Sequence, residues 1–183
     1  MTVRADTAES AAQGAAGPRY DGTGRPTHPR TLGRLVRGKN INPETLLATD
    51  YLNHFNEIIM LLDMVPSMPD CLDDAMEWAP KSYEAHFRDS AFTDKELAVL
   101  AYFNAPEKFR VPFDVTVARM DELVLAGRER VAEAVAAGDT QRAENTVNDV
   151  SHKLQRLVDL ASAIIHGKKR AMDQSEIDEI LQS

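Results

Sequence analysis

The sequence predicts an all-α fold, and three observations carry that expectation. Apolar residues recur at alternating steps of four and three over two long stretches, and no stretch shows the period-two alternation of a half-buried strand. Aromatic residues are only 6% of a 183-residue chain whose hydrophobic content is 43%. The core must therefore be largely aliphatic, which suits helix-on-helix packing.

The two stretches dominate residues 111–168. Phe113, Val117, Met120, Val124, Gly127, Val131 and Ala134 mark one seam, and Val147, Val150, Leu154, Leu157, Ala161 and Ile164 mark the other. Such spacing is that of a helix packed along another helix, close to coiled-coil geometry. With Gly138 between them and Pro112 fitting a first helical turn, they read as a long antiparallel hairpin with arms of about 40 Å. Two arms cannot bury both faces of their stripes. Either shorter helices within 41–110 complete a four-helix-type bundle, or a second copy does so in a homodimer.

Upstream, residues 1–40 are rich in Ala, Gly, Thr, Pro and Arg without any period and read as a disordered basic arm, with at most a helical turn near Leu32–Val36. Asn42-Pro43-Glu44 has the order of an N-cap, a first-position proline and a first-turn acid, so helix is expected to begin there. Leu52, Phe55, Ile59 and Leu62 form a stripe over Asp50–Met64, which Pro66 ends. Pro69 can open a helix running to Trp78, and Ser82–Arg88 reads as a short helix after Pro80. Thr93 and Glu96 have capping-box spacing, and Phe92 is placed to staple onto Leu97. That helix is expected to stop before Pro106.

Charge is unevenly distributed. The chain carries a net −8, with residues 1–40 at +4 and the remainder at −12. An acidic body argues against nucleic acid as its partner. One cysteine, Cys71, rules out an intramolecular disulfide and suits a reducing compartment. The longest strongly apolar run, Ile58–Leu62, is far too short to span a membrane, and no apolar signal-type stretch opens the chain. A soluble, cytoplasmic protein without membrane insertion is expected.

Chemistry-bearing residues are few. Asp149-Val-Ser-His152 has the acid-x-x-His spacing used by di-iron bundles, and with His54 and Glu57 it defines an alternative reading, a metal-dependent bundle enzyme. His54-Phe-Asn-Glu57 runs in the opposite order, however, so no metal ligand and no cofactor is assigned. Cys71 near a helix start is surrounded by Asp70, Asp73 and Asp74, which oppose a reactive thiolate. Glu144 and Asn148 share one helix face, the spacing with which an acid and an amide can position a water against a phosphoryl group, but they read first as a solvated helix face. Trp78, Tyr83, Phe87, Phe92, Tyr102 and Phe103 crowd the proline-punctuated middle, as core or as a groove. No residue is assigned a catalytic role. A further reading is a regulator that binds and protects another enzyme through the acidic body.

Residues 169–183 form a hinge followed by a separate unit. Gly167 can terminate the second arm beside the basic Lys168-Lys169-Arg170. Beyond it, Asp173 and Glu176 have helix-start spacing, Met172 and Ile177 have staple positions, and Ile177, Ile180 and Leu181 share a face. So short a helix is unstable alone and must dock. The run Gln174-Ser-Glu176-Ile177-Asp178-Glu-Ile180-Leu181 resembles the Gln-x-Glu-Ile-Asp-x-Leu-Leu segment with which flagellar motor switch proteins dock the phosphorylated chemotaxis response regulator. It is also similar to the Ile/Val-Asp-x-Leu tails of chemotaxis phosphatases, themselves long helical hairpins paired into four-helix bundles. Glu179 stands where those segments have a small residue, and the phosphatases' Asp-Leu-Thr-Gly-Gln motif has no counterpart. The resemblance therefore implies docking without phosphatase chemistry: an adaptor that presents Gln174, Glu176, Ile177, Asp178, Ile180 and Leu181 to a receiver domain. The opposite charges of the basic arm and the acidic tail also predict contact between them.

Overall fold

A computed structural model describes the backbone at Arg19–Tyr20, Pro26–Thr27 and residues 29–168, with side chains from residue 31 onward. The fold is all-α. In chain order the elements are β1 (Arg19–Tyr20), β2 (Pro26–Thr27), α1 (Pro29–Leu35), a 3₁₀ turn (Thr49–Leu52), α2 (Asn53–Met64), α3 (Cys71–Glu77), α4 (Tyr83–Asp89), α5 (Lys95–Phe103), α6 (Glu107–Ala136) and α7 (Thr140–Ile165). The two-residue strands pair with each other, antiparallel, with Arg19 opposite Thr27.

The hairpin of α6 and α7 is the frame. Every seam position named from the sequence is buried except Val117, which is half-buried. The arms pack tightly where Gly127 meets Val150. A Cβ on Gly127 would lie 2.7 Å from one Val150 methyl and 2.8 Å from the other. The reversal is built from bonds that the local sequence can supply. Gly138, at φ +66°, donates to the Val135 carbonyl at 3.0 Å, and Asp139 donates to that of Ala134 at 3.0 Å. This is a Schellman ending. The Asp139 side chain then accepts from the Arg142 amide at 3.0 Å and caps α7, so one residue closes the first arm and opens the second.

The shorter helices complete the bundle within the same chain. α2 lies along α7, and α3 lies against α6; Ser151 on α7 donates to Asp63 on α2 at 2.6 Å. Phe55, Ile58 and Leu62 of α2 are fully buried, as are Phe113, Leu154, Leu157 and Ile164 of the hairpin. Burying each such side chain contributes about 1.5–3 kcal/mol. The end of α3 is tied down from across the bundle: Arg128 on α6 donates through Nη1 to the carbonyls of Met76 and Trp78.

Four local expectations are corrected. First, residues 29–40 belong to the body rather than to the basic arm, since Leu32 and Val36 are buried in the main core. Gly33 allows that docking, because a Cβ there would sit 2.7 Å from the Pro43 carbonyl oxygen. Second, Asn42-Pro43-Glu44 starts no helix. The Asn42 side chain accepts from the amides of Glu44 (2.8 Å) and Thr45 (3.0 Å), and the loop closes with Asn42 donating to the Leu47 carbonyl at 2.8 Å. Third, Thr93 caps nothing that begins α5: the N-cap is Asp94, whose side chain makes no cap bond and pairs with Lys39 instead. Fourth, Pro112 lies inside α6, whose N-cap is Pro106. It cannot donate to the Lys108 carbonyl, and its own carbonyl accepts from the Thr116 hydroxyl at 2.8 Å.

Candidate functional site

Aromatic side chains from four segments meet on one side of the hairpin. Tyr51 lies in the 3₁₀ turn, Tyr83 opens α4, Tyr102 lies near the end of α5, and Phe113 projects from α6. The Tyr51 and Tyr83 rings stack at 5.2 Å, and Tyr83 and Tyr102 at 4.4 Å with a 12° interplanar angle. Phe113 meets Tyr51 edge-on at 5.7 Å. Each hydroxyl is engaged. Tyr51 donates to the Lys81 carbonyl at 2.7 Å, Tyr83 accepts from the Ala48 amide at 2.8 Å, and Tyr102 donates to Asp114 at 2.9 Å.

Trp78, Tyr83 and Phe87 are buried and Phe92 and Tyr102 half-buried, so the aromatic middle is mostly core; Phe103, at 45% exposure, lies outside it. One edge of this core stays open. A cavity of about 260 Å³ is lined there by Tyr51, Tyr83, Tyr102, Phe113, Asp114 and Asp121, with Lys81 at its margin. Asp114 and Asp121 are seven residues apart on α6, two turns along one face. Burial raises the carboxyl pKa of Asp114 against the opposing effect of the Tyr102 hydrogen bond. Burial also pushes Asp121 up to about 6, helped by the neighbouring Glu122 charge. Asp121 Oδ1 is shut away from solvent with no hydrogen-bond donor among the described residues. Tyr102 is raised to about 12 by burial and by Asp114.

A second cavity, of about 430 Å³, is lined by His54, Glu57, Leu61, Asp74, Glu77, Trp78, Ala79 and Lys81. It contains half of the di-iron alternative and not the other half. Asp149 pairs instead with Lys153 at 2.9 Å and Arg130 at 3.7 Å, and His152 is exposed. His54 stacks on Trp78 at 4.6 Å and bonds the Ala79 carbonyl through Nε2 at 3.0 Å. Burial lowers its pKa. Among the described residues no three His, Cys, Asp or Glu side chains converge as a metal site. The acid–histidine pairs read from spacing are therefore not assembled.

The other sequence candidates separate in the same way. Cys71 is the first residue of α3 and half-buried, while Asp70, Asp73 and Asp74 around it are exposed. Glu144 and Asn148 are exposed on α7, as their spacing required. Gln174, Glu176, Ile177, Asp178, Ile180 and Leu181 lie outside the described residues. Sequence reasoning missed Tyr51, Asp114 and Asp121. The available signal was the pair of acids one heptad apart beside the Phe113–Met120 seam, where a solvated helix would place them farther round.

Comparison with protein-family models, with curated proteins and with solved structures finds no match to this chain. Among the described residues no helix is long and apolar enough to cross a membrane.

Proposed function

We propose that this protein is a non-catalytic helical adaptor that docks the receiver domain of a chemotaxis-type response regulator through residues 174–181. The observation that carries the reading is the run Gln174-Ser-Glu176-Ile177-Asp178-Glu-Ile180-Leu181, with its apolar face at Ile177, Ile180 and Leu181 and its acids between them. Ile177, Ile180 and Leu181 would fill an apolar groove, and Glu176 and Asp178 would meet basic groups that set orientation and on-rate.

The body supports this reading by the way it ends. Gly167, at φ +74°, donates to the Ile164 carbonyl at 2.9 Å, and Lys168 donates to that of Ala163 at 3.0 Å. This second Schellman ending stops α7 and turns the chain off its axis just before the docking run. The Thr45 hydroxyl meanwhile donates to the Ile165 carbonyl at 2.7 Å, so the last turn is clamped from the side by the loop that follows α1. A docking segment attached there is carried by a fixed point.

Receiver domains from the same cell should bind the full chain and lose binding to a chain ending at Arg170. In the full chain, Ile177→Ala should weaken binding at least tenfold, the effect of about 1.4 kcal/mol. Equal affinity of a receiver domain for the full and shortened chains would refute tail docking.

A further inference from the structure

We propose that the cavity between Tyr51, Tyr83, Tyr102 and the Asp114–Asp121 face of α6 binds a small organic cation, an ammonium group carried on an apolar stem. The proposal does not rest on the docking run.

Three features select the ligand class. The walls are largely apolar, and Tyr51, Tyr83, Tyr102, Phe113 and Val117 are among the residues that line them. Apolar walls with a few placed polar groups are what small-molecule sites offer, and about 260 Å³ suits a ligand smaller than drug size.

The polar groups are acidic. Of the two carboxylates, Asp114 already accepts from Tyr102, whereas Asp121 has a buried oxygen to which no described protein group donates. A desolvated carboxylate without a donor is costly, and a cation brought by a ligand would relieve it. Lys81, the cation on the lining, is engaged at 3.2 Å by Asp89 on the far end of α4. An anion would face two carboxylates here, and a neutral ligand would leave Asp121 unrelieved.

Lastly, the half-buried Tyr102 ring lies beside Asp114, and an ammonium there gains from the ring quadrupole and from charge together. Two sources carry this chemistry, a free amine and a lysine side chain of another protein. The same chemistry recognises both, and the small volume favours the free amine.

The test is an NMR titration of the ¹⁵N-labelled full chain with n-butylammonium, with n-butanol as the neutral isostere. Saturable shifts are expected at Lys81–Tyr83 and along 114–121 for the amine, with at least tenfold weaker effects for the alcohol. Asp121→Asn should abolish or weaken the amine response at least tenfold, and Tyr102→Phe should weaken it less. Asp121→Asn removes a half-buried charge and is expected to fold, which its own spectrum checks. Nα-acetyl-lysine amide identifies the source: weaker binding than n-butylammonium supports a free amine, and tighter binding supports a protein lysine in the same site. Amine shifts that do not saturate and spread over the acidic surface would overturn the proposal, as would equal responses to amine and alcohol or an unchanged response in Asp121→Asn.

Discussion

Gly127 offers a prediction whose sign depends on one contact. Replacing a helical glycine with alanine ordinarily stabilises by about 1 kcal/mol, because glycine loses more backbone entropy. Here the added Cβ would fall 2.7 and 2.8 Å from the two Val150 methyls. Carbon atoms sit best about 3.5–4.0 Å apart, so the overlap is roughly 1 Å. Val150 is wholly buried and has little room to turn aside. Overpacking of this kind costs about 1–3 kcal/mol, so Gly127→Ala should destabilise by about 1 kcal/mol net. Val150→Ala removes the obstructing methyls and should by itself cost about 1–3 kcal/mol. In that background the Cβ of residue 150 still lies 3.3 Å from the added carbon, which offsets part of the propensity gain, so Gly127→Ala should become neutral to stabilising by up to about 1 kcal/mol. The cycle therefore has a coupling of about 1–2 kcal/mol. Equilibrium unfolding of the four proteins in urea, with a common slope, measures every term. If Gly127→Ala stabilises both backgrounds alike, the arms do not meet at this point.

Other perturbations address the clamp and the buried ionisable groups. Thr45→Val leaves the Ile165 carbonyl buried without the hydroxyl donor and should cost about 1–3 kcal/mol, while Thr45→Ser should recover most of it; urea midpoints decide. Asp121 takes up a proton more readily folded than unfolded, its pKa being pushed up to about 6. Its contribution is therefore most favourable below about pH 4 and is lost as pH rises toward 6. Asp121→Asn should abolish that slope and, allowing for a half-exposed and screened group, stabilise by about 1 kcal/mol at pH 7. His54 and His86 have the opposite sign. Burial lowers both, so the unfolded chain binds their protons more readily and stability is lost as pH falls below about 6.5. Unfolding measured from pH 7 to 5 should show a shallower loss after His54→Gln or His86→Gln.

What the sequence discloses here depends on whether a pattern is local. The hairpin is legible because its apolar residues repeat over many turns and its reversal needs only Gly138 and Asp139, adjacent in the chain. Helix boundaries fail where two local solutions share the same residues. Asn42-Pro43-Glu44 can cap a helix or fold an Asx turn. The turn prevails because Leu46 and Leu47 are buried beneath it, with Leu46 held at φ +61°. Thr93 and Glu96 match a capping box, but Lys39 arrives from 55 residues away to pair with Asp94, a partner no window includes. Gly33 reads as linker composition, yet it is the residue that lets α1 approach Pro43. The cavity is least legible of all. Asp114 and Asp121 become half-buried walls of a cavity only when Tyr51, Tyr83 and Tyr102, from three separate segments, assemble over α6.

The bonds that finish α7 also make the docking test interpretable. Removing residues 171–183 deletes none of them: the Gly167 and Lys168 amides, the carbonyls of Ala163, Ile164 and Ile165 that accept, and the Thr45 hydroxyl all precede Lys169. Gly167 itself rests on the clamp, where a Cβ would lie 3.5 Å from Glu44 and 3.7 Å from Thr45. The shortened chain should therefore unfold at the midpoint of the full chain, within about 0.5 kcal/mol, as expected for a change away from packed features. Loss of receiver binding in that chain would then report on the docking run and not on a damaged body. A larger drop in stability would show instead that the acidic tail packs on its own protein. Salt distinguishes the cause, because contact with the basic stretch at residues 30–39 should weaken as ionic strength rises from about 0.01 to about 1 M and the screening length shrinks from about 30 to about 3 Å. A drop that salt leaves unchanged would assign the contact to Ile177, Ile180 and Leu181, and would make the apolar face of the docking run part of the body.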